Sequence, residues 1–161
     1  INVDLKAFTE DFYTRYCGAK LKPVLNNLKT IVGLGWWLEV TTLIIPELND
    51  TQKELQDIAT FIVQELGADV PWHISRFHPA YHMQKTLPTP VSTLEKAYDL
   101  GKQAGLSYVY LGNVPGHNSE STKCPKCGQT VIQRRAFTMN ASNLEGNTCA
   151  HCGALIAGVF S

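Results

Sequence analysis

The chain has 161 residues, 44% of them hydrophobic, and its 14 basic side chains equal its 14 acidic ones in number. This length and apolar content allow a buried core, and a balanced charge without a basic run disfavours nucleic-acid binding as the main function. No apolar stretch approaches the roughly 20 residues needed to cross a bilayer, and no hydrophobic signal segment is visible. With its free cysteines, the protein is expected to be cytoplasmic.

Helix and strand signals alternate over the first two thirds of the chain, which predicts repeated βα units and an α/β fold with parallel strands. Strands are predicted at residues 1–6, 36–45, 72–77 and 106–111. Helices are predicted at about 10–17, 23–32, 52–66 and 93–104. Gly18, Gly67 and Gly105 follow three of these helices, as expected of helix ends.

Two capping boxes are predicted at helix starts, Thr51 with Glu54 and Ser92 with Glu95. The helix after Thr51 carries an apolar stripe at helical spacing, which predicts packing against a sheet. The stripe consists of Leu55, Ile58, Ala59, Ile62 and Leu66.

Four cysteines near the C-terminus form two matched pairs, Cys124 with Cys127 and Cys149 with Cys152. Each pair has a two-residue gap and a following glycine, and 21 residues separate the pairs, so the pattern predicts a structural four-cysteine zinc site. Two disulfides would need an oxidising compartment, and a redox-active pair is the weaker alternative. His151 lies inside the second gap and is interpreted as a solvated turn residue.

The cysteine pairs define the predicted domain organisation. Residues 1–112 are expected to form a main domain, 113–123 an exposed linker rich in Gly, Pro, Asn and Ser, and 124–161 a zinc ribbon. Residues 130–139, between the pairs, are predicted to form the strands of the ribbon. The basic residues at this end, which raise the question of nucleic-acid binding, are Lys123, Lys126, Arg134 and Arg135.

Candidate ligand-binding side chains occur near the predicted strands. In parallel α/β folds ligands bind at the carboxyl ends of the strands. Asp4 and Lys6 alternate with apolar residues and would share one face, Glu39 and Thr41 share a face of the second strand, and His78 follows the third. The alternative is that Asp4, Lys6 and Glu39 form salt bridges in a polar interior.

Several motifs carry a family resemblance that covers essentially the whole chain. They are Asp4-Leu-Lys-Ala-Phe, Tyr16-Cys-Gly-Ala, Glu39-Val-Thr-Thr-Leu-Ile-Ile-Pro, Ser75-Arg-Phe-His-Pro and Gly112-Asn-Val-Pro-Gly, followed by the two cysteine pairs. In order and spacing they resemble the later half of a radical S-adenosylmethionine (SAM) enzyme of the glycyl-radical activating type, similar to pyruvate formate-lyase activating enzyme. Together with the two cysteine pairs, they also look like the radical enzyme of the AmmeMemoRadiSam group.

The resemblance implies the C-terminal half of a partial (β/α) barrel that binds SAM and a 4Fe-4S cluster, cleaves SAM reductively and abstracts hydrogen from a substrate. It implies that Lys6 contacts the carboxylate of SAM, while Asp4 and His78 position the ribose or methionine part. Glu39 and Thr41 are further candidates for ligand binding. Thr41 stands where activating enzymes carry an arginine, which leaves the contacts at that position open.

The chain departs from the family in lacking the Cys-x3-Cys-x2-Cys run that ligates the cluster. We therefore expect the cluster ligands to lie upstream of Ile1, and this fragment to be inactive alone. The resemblance also suggests Memo-like and AMMECR1-like proteins as partners, or a protein substrate. The competing hypothesis is a non-catalytic zinc-ribbon module that binds nucleic acid or a protein.

The remaining cysteine and histidines receive structural interpretations. Cys17 is expected to be a packed thiol, and His73 a hydrogen-bonded core or edge residue. His82 lacks neighbouring ligands at metal spacing, and His117 belongs to the predicted linker, from which it could approach the active site.

Overall fold

The computed structural model describes residues 1–135, 138–141 and 143–160. The chain divides into two compact units, Ile1–Asn113 and Val114–Ser161, which we call the sheet unit and the ribbon unit. No helix among the described residues has both the length and the apolar character that a membrane span requires.

The sheet unit is an α/β structure with one four-stranded parallel sheet, in the order β1-β2-β3-β4. Sequential strands are therefore neighbours, and helical segments connect them, as the alternating signals predicted. The strands are β1 (Asn2–Asp4), β2 (Glu39–Ile44), β3 (Trp72–Arg76) and β4 (Val109–Gly112). The helices are α1 (Glu10–Phe12), α2 (Leu21–Gly33), α3 (Gln52–Phe61) and α4 (Val91–Ala104).

Two of the helices continue as short π-helical segments. Tyr13–Cys17 extends α1 and Ile62–Leu66 extends α3, and each segment is followed by a glycine with positive φ. Gly18, at φ 59°, adopts the left-handed conformation that residues with a Cβ avoid. The predicted end of the first helix is thus confirmed.

The two sides of the sheet differ in polarity. One side is apolar and buried against helices, and its central side chains are Val40, Trp72, Ile74, Val109 and Leu111. The other side, which we call the open face, is polar and half-buried or exposed. The open face carries Asn2, Asp4, Glu39, Thr41, Leu43, His73, Ser75 and Tyr110.

Helix α4 packs closely on the buried side of the sheet. A Cβ placed on Gly101 would lie 3.0 Å from Cε3 of Trp72 and 3.0 Å from Cγ2 of Val109. Trp72 is fully buried, and its indole N–H donates to Oγ1 of Thr42 at 2.9 Å. The glycine therefore permits a close approach between helix and sheet.

The structure differs from the predicted helix starts in two details. Thr51 does cap α3, because its side chain accepts from the backbone N–H of Glu54 at 3.3 Å. The Glu54 carboxylate, however, accepts from the backbone N–H of Phe8 at 2.8 Å, where it supports the segment after β1 instead of closing a capping box. The Ser92 capping box is wrong: α4 begins at Val91 after Pro90, without a side-chain cap.

The ribbon unit consists of short antiparallel strands. They are β5 (Thr122–Lys123), β6 (Thr130–Arg135), β7 (Thr138–Asn140), β8 (Leu144–Glu145) and β9 (Thr148–Cys149). The strands predicted for residues 130–139 are present as β6 and β7, and Ala136 and Phe137 of that segment lie outside the described residues. Thr122–Lys123 pairs with β6, so these residues of the predicted linker belong to the sheet of the ribbon.

Candidate functional site

One row of side chains crosses the open face from strand to strand. Asp4, Thr41, His73 and Tyr110 are successive partners in the parallel register of the four strands. Parallel sheets usually bury both faces and carry apolar residues on each. A carboxylate, a hydroxyl, an imidazole and a phenol in one row depart from that pattern and make the row a candidate for ligand binding.

The structure brings Asp4 and Lys6 together at the carboxyl end of β1. Nζ of Lys6 lies 2.6 Å from Oδ2 of Asp4, with the two side chains 42% and 49% exposed. An ion pair with this exposure contributes little to stability. The ion pair can therefore break at small energetic cost, which leaves both side chains available to bind a ligand.

Glu39 and Thr41 share the open face, as predicted, but their present contacts differ. The Thr41 hydroxyl donates to Oδ1 of Asn2 at 3.0 Å. Oε2 of Glu39 lies 2.7 Å from Nε2 of His73. Glu39 is thus engaged with the histidine that the sequence analysis interpreted as a hydrogen-bonded structural residue.

His78 lies two residues beyond the end of β3 and is exposed. Among the described residues, its side chain makes no hydrogen bond or ion pair with Asp4 or Lys6. Its backbone position is nevertheless fixed, because Thr89 accepts from the N–H of the preceding Phe77 at 3.1 Å. The hydroxyl of Thr89 donates in turn to the carbonyl of Ile44 at 2.6 Å.

Buried polar side chains anchor the loops at the carboxyl ends of the strands. Asn49 is fully buried and links the ends of β1 and β2 by donating to the carbonyls of Lys6 and Leu43. The Thr89 hydroxyl links the ends of β2 and β3 by donating to the carbonyl of Ile44 and accepting from the N–H of Phe77. These anchors hold the rim of the site in one geometry before a ligand arrives.

A groove of about 990 Å³ is lined by Tyr16 and by the loops that follow β2 and β3. Glu47 and Tyr81, in its lining, have positive φ angles of 67° and 47°. Asn113, directly after β4, has φ 60° and donates to Oγ of Ser75 at 3.0 Å. Non-glycine residues in this conformation cluster at functional sites, so their position at this end of the sheet agrees with the placement of the site.

No binding role was predicted from the sequence for His73, Tyr110, Asn49 or Thr89. Alternation of polar and apolar residues in β3 and β4 was the available signal for the first two. Asn49 and Thr89 lie in loops, and only the fold shows that their side chains are buried.

The four cysteines of the ribbon unit form a candidate metal centre. Their sulfur atoms all lie within 4.8 Å of one another, with Cys124 to Cys152 at 3.6 Å and Cys127 to Cys149 at 3.8 Å. Sulfurs of a tetrahedral zinc site with Zn–S bonds of about 2.3 Å are separated by about 3.8 Å. The observed spacing therefore fits four ligands of one metal ion and is far longer than a disulfide bond.

The two halves of the candidate metal centre share one hydrogen-bond pattern. The N–H of Gly128 donates to the carbonyl of Cys124 at 2.9 Å, and the N–H of Gly153 donates to that of Cys149 at 2.8 Å. Both glycines have positive φ, at 75° and 68°. The sequence pattern of gap and glycine thus folds into two equivalent turns.

The protein environment shifts the pKa values of two of the four thiols, Cys124 and Cys127, in opposite directions. Burial raises the pKa of Cys124, but hydrogen bonds from the backbone N–H groups of Cys127 and Lys126 and from the Cys127 and Cys152 thiols together lower it to about 7. The N–H of Gln129 lowers the pKa of the Cys127 thiol. Burial and the neighbouring thiols of Cys152, Cys124 and Cys149 raise it by more, so that the pKa is about 12. A shared cation would relieve the repulsion among several thiolates.

A curated relative matches nearly the whole length of the chain. The chain is 46% identical over 158 residues to the uncharacterized protein MJ0808 of Methanocaldococcus jannaschii, a match that covers 97% of this chain and 47% of that protein. The chain thus spans about half the length of this curated relative. A scan against protein-family models finds no match.

Two solved structures share the fold. A domain of pyruvate-formate lyase-activating enzyme from Bacteroides vulgatus ATCC 8482 matches with TM-score 0.61 and 14% identity, over 70% of this chain and 66% of that chain. A radical SAM methyltransferase from Sphaerobacter thermophilus matches with TM-score 0.50 and 14% identity, over 68% of this chain and 32% of that chain. The predicted fold class, an α/β structure with parallel strands followed by a small unit with four clustered cysteines, is confirmed.

Proposed function

We propose that this chain is the SAM-binding part of a radical SAM enzyme of the activating type. The observation that carries the proposal is the Asp4–Lys6 pair on the open face of a parallel sheet with this fold. The pair is polar, accessible and at the carboxyl end of a strand, where parallel sheets bind ligands.

Each residue has a role suited to its chemistry. The Lys6 ammonium would leave Asp4 and donate to the carboxylate of SAM, and Asp4 would accept from the ammonium or hydroxyl groups of the ligand. His78, at the end of β3, would contact the ribose or methionine part. Asn49 fixes the backbone of Lys6, so the lysine is already in position when SAM binds.

A 4Fe-4S cluster would supply the electron for reductive cleavage of SAM. Among the described residues, the only group of three or more candidate metal ligands is the four-cysteine cluster, whose sulfur atoms lie within 4.8 Å of one another, as suits a single ion. We therefore propose that another part of the protein holds the iron-sulfur cluster and that this chain alone does not cleave SAM. From the motif order we further propose that the protein belongs to the AmmeMemoRadiSam group and acts in the cytoplasm with Memo-like and AMMECR1-like partners.

Calorimetric titration of the chain with SAM tests the main site. Replacing Lys6 by Met should weaken binding about 10-fold or more, because a hydrogen bond between charged groups is worth about 1.5–3 kcal/mol. Asp4→Asn should also weaken binding. The matched control is Lys53→Met, which removes an exposed lysine paired with Asp57 on α3. Equal affinities for the Lys6 and Lys53 variants would contradict the proposal.

For the ribbon unit we propose a structural zinc ion held by the four cysteines. Metal analysis of the purified protein should find about one zinc per chain, retained in a Cys17→Ser variant and lost in Cys149→Ser. Iron in place of zinc, or a folded ribbon without metal, would contradict this assignment.

A further inference from the structure

A carboxylate–imidazole pair lies on the open face, and the proposed SAM contacts do not use it. Nε2 of His73 lies 2.7 Å from Oε2 of Glu39, and the indole N–H of Trp37 donates to Oε1 of the same carboxylate at 3.1 Å. Tyr110 stacks on the imidazole, with centroids 5.0 Å apart and planes inclined by 24°. Both the carboxylate and the ring are therefore held in fixed positions.

This arrangement determines which ring nitrogen faces a ligand as an acceptor. A carboxylate accepts hydrogen bonds, so the Nε2 atom that contacts Glu39 carries a proton. In the neutral ring, Nδ1 then has a lone pair and no proton. Among the residues that the structure describes, no hydrogen bond to Nδ1 of His73 is found.

The pair is an unusual feature for this position in a sheet. The side chains of His73 and Glu39 are 33% and 35% exposed, so they are partly removed from water without being covered. Apolar residues would stabilise a parallel sheet better. Polar residues that break such a local pattern are typical of functional sites.

A histidine held in this way can either bind a metal ion or accept a hydrogen bond from a ligand. Metal-binding histidines often donate their second N–H to a carboxylate, as His73 does. A metal would need further ligands, however, and among the described residues the only cluster of candidate ligands is in the ribbon unit. The free acceptor therefore favours a ligand that donates a hydrogen bond.

We propose that Glu39 positions His73 so that Nδ1 accepts a hydrogen bond from a hydroxyl or N–H group of a small polar substrate on the open face. This inference rests on the proposed function, because it places the substrate beside SAM. Asp4 and Tyr110, at the ends of the row, are three strand spacings or about 14 Å apart. The row is thus long enough for SAM contacts at one end and a small metabolite at the other.

The first test is the protonation pattern of His73. Two-bond ¹H–¹⁵N NMR on the chain with ¹⁵N-labelled histidine, at alkaline pH, should show His73 with the proton on Nε2. A His73→Asn spectrum assigns the signal, and Glu39→Ala should give a mixture of tautomers. A proton on Nδ1 in the wild-type protein would overturn the inference.

The second test uses glycerol and ethanolamine as probes, with 1,2-dimethoxyethane as the matched probe without donors. In the presence of SAM, the donors should shift the Nδ1 signal saturably, and dimethoxyethane should not. Glu39→Ala should weaken the response at least 10-fold, whereas Glu65→Ala, an exposed residue of the sheet unit paired with Lys29, should not change it. An unchanged Nδ1 signal with both donors would overturn the inference.

The SAM titration of the same samples separates the two proposals. Normal SAM binding without a probe response would defeat the substrate site alone. A probe response in a protein that does not bind SAM would defeat the proposed function but leave His73 as a hydrogen-bond acceptor for a polar ligand.

Discussion

The side-chain amide of Asn49 donates a hydrogen bond of 2.5 Å to the backbone carbonyl of Lys6. The same amide group donates to the carbonyl of Leu43, and its oxygen accepts from the N–H of Ile45. One buried residue thus ties the proposed ligand-binding lysine to the end of the neighbouring strand.

Asn49→Ala should lower the free energy of unfolding by about 3 kcal/mol, because three backbone groups would lose their partner. Urea denaturation followed by circular dichroism measures the change. The control is Asn27→Ala, at an exposed position of α2, which should leave stability unchanged or slightly raised. A loss of less than about 1 kcal/mol for Asn49→Ala would show that water replaces the amide.

Gly101→Ala should destabilise the sheet unit although alanine is the better helix former. The added Cβ would lie 3.0 Å from the fully buried Trp72, and overpacking costs about 1–3 kcal/mol against a propensity gain of about 1 kcal/mol.

Gly33→Ala is the matched control for Gly101→Ala. Gly33 also lies in a helix, α2, with no atom within 4 Å of the added Cβ, so this variant should be as stable as the wild type or more so. Thermal unfolding of both variants measures the contrast. A more stable Gly101→Ala protein would mean that Trp72 moves aside freely.

Cys17 should report on the charge of Lys6. Burial raises the pKa of the Cys17 thiol, and the nearby Lys6 ammonium opposes the rise. Lys6→Met should therefore raise this pKa further, reduce the thiolate fraction at mildly alkaline pH and slow alkylation by iodoacetamide. Peptide mass spectrometry measures the rate at Cys17 alone. Faster alkylation in Lys6→Met would contradict the argument, and Lys53→Met should react as the wild type does.

Removal of the metal should unfold the ribbon unit. Short strands of two to six residues offer little core, and small units of this kind depend on their metal for folding. In hydrogen-exchange mass spectrometry, a strong chelator should increase exchange around Cys124 and Cys149. Amides of β2 and β3 should stay protected, and unchanged protection of the ribbon after complete zinc removal would contradict the prediction.

Local signals in the sequence predicted most of the fold. The four strands and their parallel direction follow from alternation with helices, and the cysteine spacing predicted the candidate metal centre, because these features depend on neighbouring residues. The role of Glu54 could not be predicted, since its carboxylate contacts Phe8, 46 positions earlier.

The candidate site was predicted only in part for the same reason. Asp4 and Lys6 are two residues apart, so strand alternation alone places them on one face. The pairing of Glu39 with His73 joins residues 34 positions apart and depends on the strand register. Long-range contacts of this kind are set by the fold and not by a local pattern.

The equivalent turns of the candidate metal centre have a practical consequence. Since Cys124–Gly128 and Cys149–Gly153 make the same backbone hydrogen bonds, the intervening dipeptides Pro125-Lys126 and Ala150-His151 should be interchangeable. A chimera carrying two copies of either turn would keep its metal, which makes this end of the chain a tolerant place for introducing spectroscopic labels or affinity tags.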